Sequence, residues 1–219
     1  MSARDSAHRV VAIDGPAASG KSSVARELAR QVGFDYVNSG AMYRAVTWHV
    51  LERAVSTSDG AAIAALLEAT RIDCDLDCDG SRILIDGVDP APHLRDDRVN
   101  EEVSSVSSVP RVREILVEKM RAYARGRDVV MEGRDIGSAV FPDTPYKFYI
   151  DASPDVRLRR RQAQGQRDQI AARDRADSSR RASPLIIAED AHVIDSSNLT
   201  IEGVVGEIVG RLKMKGLKI

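Results

Sequence analysis

The stretch "VVAIDGPAASGKSS", residues 10–23, decides the fold. Its first half belongs to "RVVAID" (9–14), a near-continuous apolar run of the kind that a strand covered on both faces requires. Its second half satisfies G-x-x-x-x-G-K-[ST] with Gly15, Gly20, Lys21 and Ser22. The glycines let backbone N–H groups turn inward on an anion, and the start of the following helix adds partial positive charge. Lysine at that position reaches the β- and γ-phosphates, and the hydroxyl meets Mg²⁺. "KSSVARELARQVG" continues with Val24, Leu28 and Val32 at helical spacing, and Gly33 stops it. Strand, loop and amphipathic helix in that order make a nucleotide-phosphate cradle of residues Gly15, Pro16, Ala17, Ala18, Ser19, Gly20, Lys21, Ser22 and Ser23, with the metal-facing hydroxyl on Ser22 or Ser23.

Working outward, strands and helices alternate. "FDYV" (34–37) reads as a short strand and 39–54 as a helix with Ser39 near its cap. A helix is expected over about 111–125, and "RDVVMEGRDIG" (127–137) is a strand ending in Arg134-Asp135. "YKFYIDASPDVRLRRR" (146–161) is a strand, then Ser153 as cap, Pro154 at the first helical position and an arginine-rich helix. "HVIDSS" (192–197) is the last strand, and a helix follows from about 199. This order predicts a P-loop α/β fold, three layers α/β/α around a parallel central sheet.

Residues 71–89 break the alternation. In "RIDCDLDCDG", Ile72, Cys74, Leu76 and Cys78 recur with period two, so the cysteines are small apolar residues on the inner face of a strand. They lack the further ligands a metal site needs. "DLDCDG" (75–80) also matches the start of a calcium loop, with Asp86 at the twelfth position. A calcium loop needs a helix on each side, whereas here one strand runs in and "RILIDG" runs out. A β-hairpin is expected. The hairpin region reads as an insert over about 61–110 and residues 156–183 as a mobile arm, leaving a core of about 9–60, 111–155 and 184–219.

Composition narrows the function. The 219 residues suit one α/β domain, and 43% apolar residues suffice for a core. The longest apolar run, "AAIAALL" at 61–67, is far too short to span a membrane, and "MSARDSAHR" does not resemble a signal peptide. A soluble cytoplasmic monomer without membrane partners is expected. The net charge of −1 argues against a generic nucleic-acid binder. The charge is nonetheless uneven: residues 157–181 hold nine Arg, no Lys and three Asp, a local +6 that leaves about −7 elsewhere. A signalling GTPase would show a base-reading N-K-x-D, which is absent. A motor ATPase would usually be larger. One P-loop with scattered arginines in a compact chain favours a small-molecule kinase. His49, His93 and His192 are scattered and read as structural.

"GPAASGKSS", "NSGAMYR", "SSVPRVRE", "EGRDIGSAVFPD", "DASPDVRLRRR" and "RDRADSSRRASPL" occur in the order seen in bacterial cytidylate kinases, and the chain resembles that family from about residue 9 to 212. The resemblance implies transfer of the γ-phosphate of ATP, with Mg²⁺, to CMP and dCMP. It implies that the hairpin insert is the small sheet of a monophosphate-binding region and that the arginine-rich arm is a lid. It assigns Arg44 and Arg134 to the acceptor phosphate with Ser39 nearby, and Arg173 to a lid contact that also reaches phosphate. Asp177 and Arg180 are implied at the ribose hydroxyls, and Ser104, Arg113 and Asp135 at the base. Arg157, Arg160 and Arg161 match the ATP-side lid arginines by order, and with Lys21, Arg134 and Arg173 the resemblance makes Arg160 catalytic. Two departures stand out: the arm between Arg161 and Arg173 is several residues shorter than the family's, and Asn38 replaces the usual Asp before Ser-Gly.

The chemistry is consistent with those roles. With a second pKa of about 6, a monophosphate is mostly dianionic at pH 7 and attacks without a general base. The reaction needs positive charge around two anions and in-line alignment. Arginine supplies permanent charge and a fork matched to phosphate. Cytosine offers an N4 amino donor beside N3 and O2 acceptors, so a carboxylate with an arginine and a hydroxyl complements it. Blander readings stay open at this level. The helix arginines can be a solvated face, Arg134 and Asp135 can bridge each other, Asp177 and Arg180 can be an i,i+3 pair, and any serine of "SSVSSV" can face solvent. Rival functions are a kinase for UMP, AMP or dTMP, a kinase for a hydroxylated metabolite, and a non-catalytic NTP-binding module.

Overall fold

A computed structural model describes residues 8–77, 80–163, 170–180 and 183–219. Cys78 lies outside the described residues, as does the side chain of Arg173. Five parallel strands form the central sheet: β1 (Val10–Asp14), β2 (Asp35–Asn38), β5 (Val129–Gly133), β6 (Tyr146–Asp151) and β7 (His192–Asp195), in the order β2-β5-β1-β6-β7. β3 (Ile72–Asp77) and β4 (Gly80–Ile85) pair antiparallel as a separate two-stranded sheet. The strand-flanked alternative to a calcium loop is therefore the one adopted.

Alternate residues of the same strands feed two cores, which makes three layers. Val11 and Ile13 of β1, Val130 of β5, and Phe148 and Ile150 of β6 pack against α1 (Lys21–Val32) and α8 (Ile201–Met214). Val10, Ala12, Val129 and Met131 face the opposite way. They meet α2 (Ser39–Glu52), α3 (Gly60–Glu68), α4 (Asp97–Ser107), α5 (Pro110–Tyr123) and the inner face of the hairpin. Cys74 is partly buried against this second core, as its period-two spacing predicts. The arginine-rich segment forms α6 (Pro154–Ala163), followed by α7 (Ile170–Ser179). Among the described residues no helix is long and apolar enough to cross a membrane.

Three local features go beyond the sequence reading. The cap of α2 is Asn38, whose side chain accepts from the Ala41 N–H at 3.0 Å, and Ser39 is the first helical residue. An amide oxygen accepts that N–H as a carboxylate would, so Asn in place of Asp preserves the cap. The Ser/Val segment is itself a helix, α4, because Val99, Val103 and Val106 recur at helical spacing and are buried. After β5 the chain makes a single π-helical turn over Ile136–Val140.

The α1–α8 layer carries a stability expectation. Leu28 is fully buried among α1, α8 and the sheet. Leu28→Ala is expected to lower the unfolding free energy by about 2–5 kcal/mol, read by urea denaturation.

Candidate active site

β1 delivers the chain to the cradle. Gly15 approaches the neighbouring strand so closely that a Cβ there would lie 2.1 Å from the Ile150 carbonyl oxygen. Gly20 takes φ 90°, turning the loop into the N-terminus of α1. Lys21 is buried, with Nζ donating to the Pro16 carbonyl at 3.1 Å across the loop. β5 lies beside β1 with Gly133 opposite Asp14, so both strands end at one level. One continues into the phosphate loop and the other into Arg134-Asp135.

A cleft opens where they meet. It is lined on the loop side by Ala17, Ala18, Gly20, Lys21, Ser22 and Ser23, with Arg161 of α6 over them. The facing wall holds Ser39, Arg44, Ser104, Arg134, Asp135, Asp177 and Arg180. Of the remaining sequence candidates, Arg113 lies behind Asp135. Arg157 and Arg160 grip the loop's backbone: Arg157 Nη1 donates to the Ala17 carbonyl at 3.2 Å, and Arg160 Nη1 to the Ser19 carbonyl at 3.1 Å. Arg160 also donates to the Ser196 carbonyl at 2.8 Å, tying α6 to the end of β7. These arginines are not a solvated face, although Arg159 is exposed.

Arg134 and Asp135 do not bridge each other. Asp135 pairs with Arg113, both side chains almost wholly buried, and Arg113 also donates to the Ser107 carbonyl at 3.3 Å. The Arg113 guanidinium sits 5.4 Å over the Tyr43 ring. Arg134 Nε donates to Asp177 at 2.8 Å and its Nη1 to the Gly15 carbonyl at 3.1 Å. Asp177 also accepts from Ser104 at 3.3 Å and pairs with Arg180 at 3.0 Å, the i,i+3 contact its spacing allows. Arg180 Nη1 reaches the Ser107 hydroxyl at 3.4 Å. Burial holds the Arg180 guanidinium below the ordinary arginine range. Burial lowers Arg134 too, but Asp177, Asp174 and Glu132 together outweigh it and the net shift is upward. Arg44 Nη1 donates to the Gly40 carbonyl at 3.3 Å within its own helix and faces the cleft.

Four contributors were not singled out from sequence. Glu132, a buried acid in the apolar strand VVMEG, accepts from the Ser22 hydroxyl at 2.7 Å, and its carbonyl accepts from Ser39 at 2.7 Å. A buried charge at a strand end was a legible signal. Ser107, one helical turn from Ser104, joins the wall because α4 is a helix. Asp174 of α7 accepts from the Ala17 N–H at 3.1 Å and pairs with Arg157, which puts a carboxylate at the mouth of the phosphate loop. Asp14 is fully buried and accepts from the N–H groups of Ile136 at 2.8 Å and Gly137 at 2.7 Å. Desolvation pushes its carboxyl up to about 7, against the two N–H contacts and Lys21, with Asp135 adding to the rise.

Hard-cation chemistry fits the Ser22–Glu132 pair: a hydroxyl and a carboxylate oxygen adjoin the cradle. Mg²⁺ is held by one or two protein oxygens plus phosphate rather than by a protein cage. Among the described residues there is no group of three or more His, Cys, Asp or Glu arranged for a metal.

Residues 11–214 match the family model described as cytidylate kinase. The chain is 43% identical over 209 residues to the cytidylate kinase of Caldanaerobacter subterraneus subsp. tengcongensis, covering 90% of this chain and 92% of that one. It is 44% identical to the cytidylate kinase of Pelotomaculum thermopropionicum, covering 92% and 95% respectively. A third relative, the cytidylate kinase of Rhodococcus opacus, is 44% identical over 91% of this chain and 93% of its own length.

Two outcomes test this geometry. Asp14 has a higher pKa folded than unfolded, so the stability it contributes is fully present below about 3.8 and is lost as pH rises through about 7. Asp14→Asn is therefore expected to destabilise the protein more at pH 5 than at pH 8 by urea titration; an equal effect at both would mean that the carboxyl ionises as readily as in water, and the reverse order that it ionises more readily. Asp174→Asn removes the like charge at the loop mouth and is expected to tighten ATP binding about 3- to 10-fold by calorimetry. Weaker binding would instead make Asp174 a support of the loop.

Proposed function

The chain belongs to the cytidylate kinase family, and we propose that its cleft carries out the family reaction as follows. The enzyme moves the γ-phosphate of ATP to CMP and dCMP, yielding CDP and dCDP. ATP sits with its phosphates in the loop of residues 15–23, and the monophosphate sits against the facing wall. The observation that carries this reading is the meeting of Lys21 and Ser22 with Arg134 and Asp135 in one cleft, brought about by paired strand ends.

Lys21 and the loop amides hold the donor's phosphates. Ser22, supported by its bond to Glu132, together with that carboxylate would hold Mg²⁺; Ser23 makes no comparable contact in the described hydrogen bonds. The metal supplies charge neutralisation between the phosphates. Arg134 and Arg44, with Ser39 and the lid residue Arg173, clamp the acceptor phosphate. Arg160, Arg157 and Arg161 of the lid brace the loop and the donor. Asp177 and Arg180 exchange their mutual pairing for the ribose hydroxyls when the nucleotide enters. The acceptor's own dianion attacks, so no side chain is asked to remove a proton. Residues 61–110 and 156–183 close over the two nucleotides and exclude water.

Base choice rests on Asp135. A carboxylate offers about four acceptor positions, so it can hold Arg113 and still take the cytosine N4 amino group. Ser104 and Arg113 donate to O2 and N3. Uracil places a carbonyl where the amino group would be, leaving a buried acceptor facing an acceptor, a mismatch that costs orders of magnitude in efficiency.

Turnover of CMP, dCMP, UMP, AMP and dTMP with ATP and Mg²⁺ tests the reading directly. CMP and dCMP are expected to be used at least about 100-fold more efficiently than UMP; no turnover of either cytidylate would overturn the assignment. Arg134→Ala is expected to reduce kcat by about 100-fold or more, as loss of a transition-state charge clamp does. Asp135→Asn is expected to lower kcat/KM for CMP and narrow the CMP/UMP gap.

A further inference from the structure

Asp14 stands between the two halves of the site. Its backbone is the last of β1, directly before Gly15 of the phosphate loop, and it pairs in register with Gly133 of β5. Its side chain crosses to the segment that follows β5. Ile136 and Gly137 begin the single π-helical turn, so their N–H groups have no partner within it. The two Asp14 oxygens take one each, at 2.8 and 2.7 Å. The turn is closed from its other end by the Asp135 carbonyl, which accepts from Ala139 at 2.9 Å and Val140 at 3.1 Å. Asp135 is thus held between Gly133, paired with Asp14 by register, and Ile136-Gly137, bound to Asp14 by side chain. Lys147 of β6 presses on the same turn from the far side: a Cβ on Gly137 would lie 3.1 Å from the Lys147 Cγ and 3.4 Å from Asp14 Oδ2.

We propose that Asp14 is a positioning residue for nucleobase selection: its carboxylate fixes the Asp135 backbone against the phosphate loop, so that the base-reading carboxylate and the donor cradle share one rigid frame. The proposal rests on the reading of Asp135 as the residue that meets the cytosine amino group. It assigns Asp14 no contact with either nucleotide. A group that only supported the fold would lower the active fraction equally for every acceptor. A group that aims Asp135 affects cytosine recognition in particular, because a shift of a few tenths of an ångström spoils a hydrogen bond to N4 while leaving the phosphate clamp of Arg134 on its own support at the Gly15 carbonyl.

Asn at position 14 has nearly the same shape but a single acceptor oxygen, so its NH₂ group must face one of the two backbone N–H groups. At pH 8, steady-state kinetics of the full chain are measured for Asp14→Asn and Asp135→Asn with ATP, CMP and UMP. Asp14→Asn is expected to raise the KM for CMP about 10-fold, move the KM for ATP about 2-fold or less, and shrink the CMP/UMP ratio of kcat/KM about 10-fold, the loss of one charge-assisted hydrogen bond. Gly137→Ala presses the turn against the Lys147 side chain beside that contact while keeping the carboxylate, and is expected to shift the ratio in the same direction by about 3-fold; it carries the test if Asp14→Asn does not fold. If Asp135→Asn narrows the ratio while Asp14→Asn and Gly137→Ala lower kcat equally for CMP and UMP, Asp14 is structural and the proposal fails. If Asp135→Asn itself leaves the ratio unchanged, the base-reading assignment falls and the proposal with it.

Discussion

The pairing of Asp14 with Gly133, at the ends of two adjacent parallel strands, is the constraint from which the site follows. Parallel strands in register finish on the same edge of the sheet, and in open α/β folds ligands bind at that edge. Here β1 releases the phosphate loop and β5 releases Arg134-Asp135 at one level. Arg134 reaches back to the Gly15 carbonyl, and Glu132 takes the Ser22 hydroxyl, so the two segments are cross-tied on both sides of the seam. A slip of one residue in this pairing would turn Glu132 and the apolar residues before it to the opposite faces. The register is fixed because both faces of these strands are buried.

Around this frame the arginines are neutralised by carboxylates of the same chain. Asp135 holds Arg113, Asp177 holds Arg134 and Arg180, and Asp174 holds Arg157. Buried guanidinium groups left without partners would be costly, and removing one member of such a pair typically destabilises by about 3–5 kcal/mol. Asp174 and Asp177 lie one helical turn apart on α7, so a single helix brings both counter-charges to the cleft. The cationic arm can therefore belong to a chain whose overall net charge is only −1.

Much of the fold was legible because it rests on short-range pattern. The apolar run 10–13, the loop glycines and Gly33 fix strand, cradle and helix locally, and period two at Ile72, Cys74 and Leu76 identified the hairpin despite its calcium-like aspartates. α4 was missed because its serines and acids mask a valine spacing carried by only three of its 11 residues. The identity of the cradle was legible in the same way, since its residues are contiguous. The facing wall was assembled from resemblance: nothing local says that Asp177 meets Arg134, 43 positions away, or that Asp174 meets Ala17. Asp14 looked like an ordinary strand residue, because what sets it apart is the pair of backbone N–H groups that the turn after β5 brings to it. Spacing reveals periodic burial; it does not reveal which carboxylate faces which guanidinium when loops intervene.

The central claim is that one cleft holds both nucleotides, with Asp135 at the base and Arg134 at the phosphate of the acceptor. A crystal structure of the chain bound to CMP measures this most directly. The account expects the cytosine N4 about 3 Å from an Asp135 carboxylate oxygen and the phosphate within about 3 Å of the Arg134 guanidinium. CMP lying elsewhere, or lying in the cleft with its base turned away from Asp135, would contradict it.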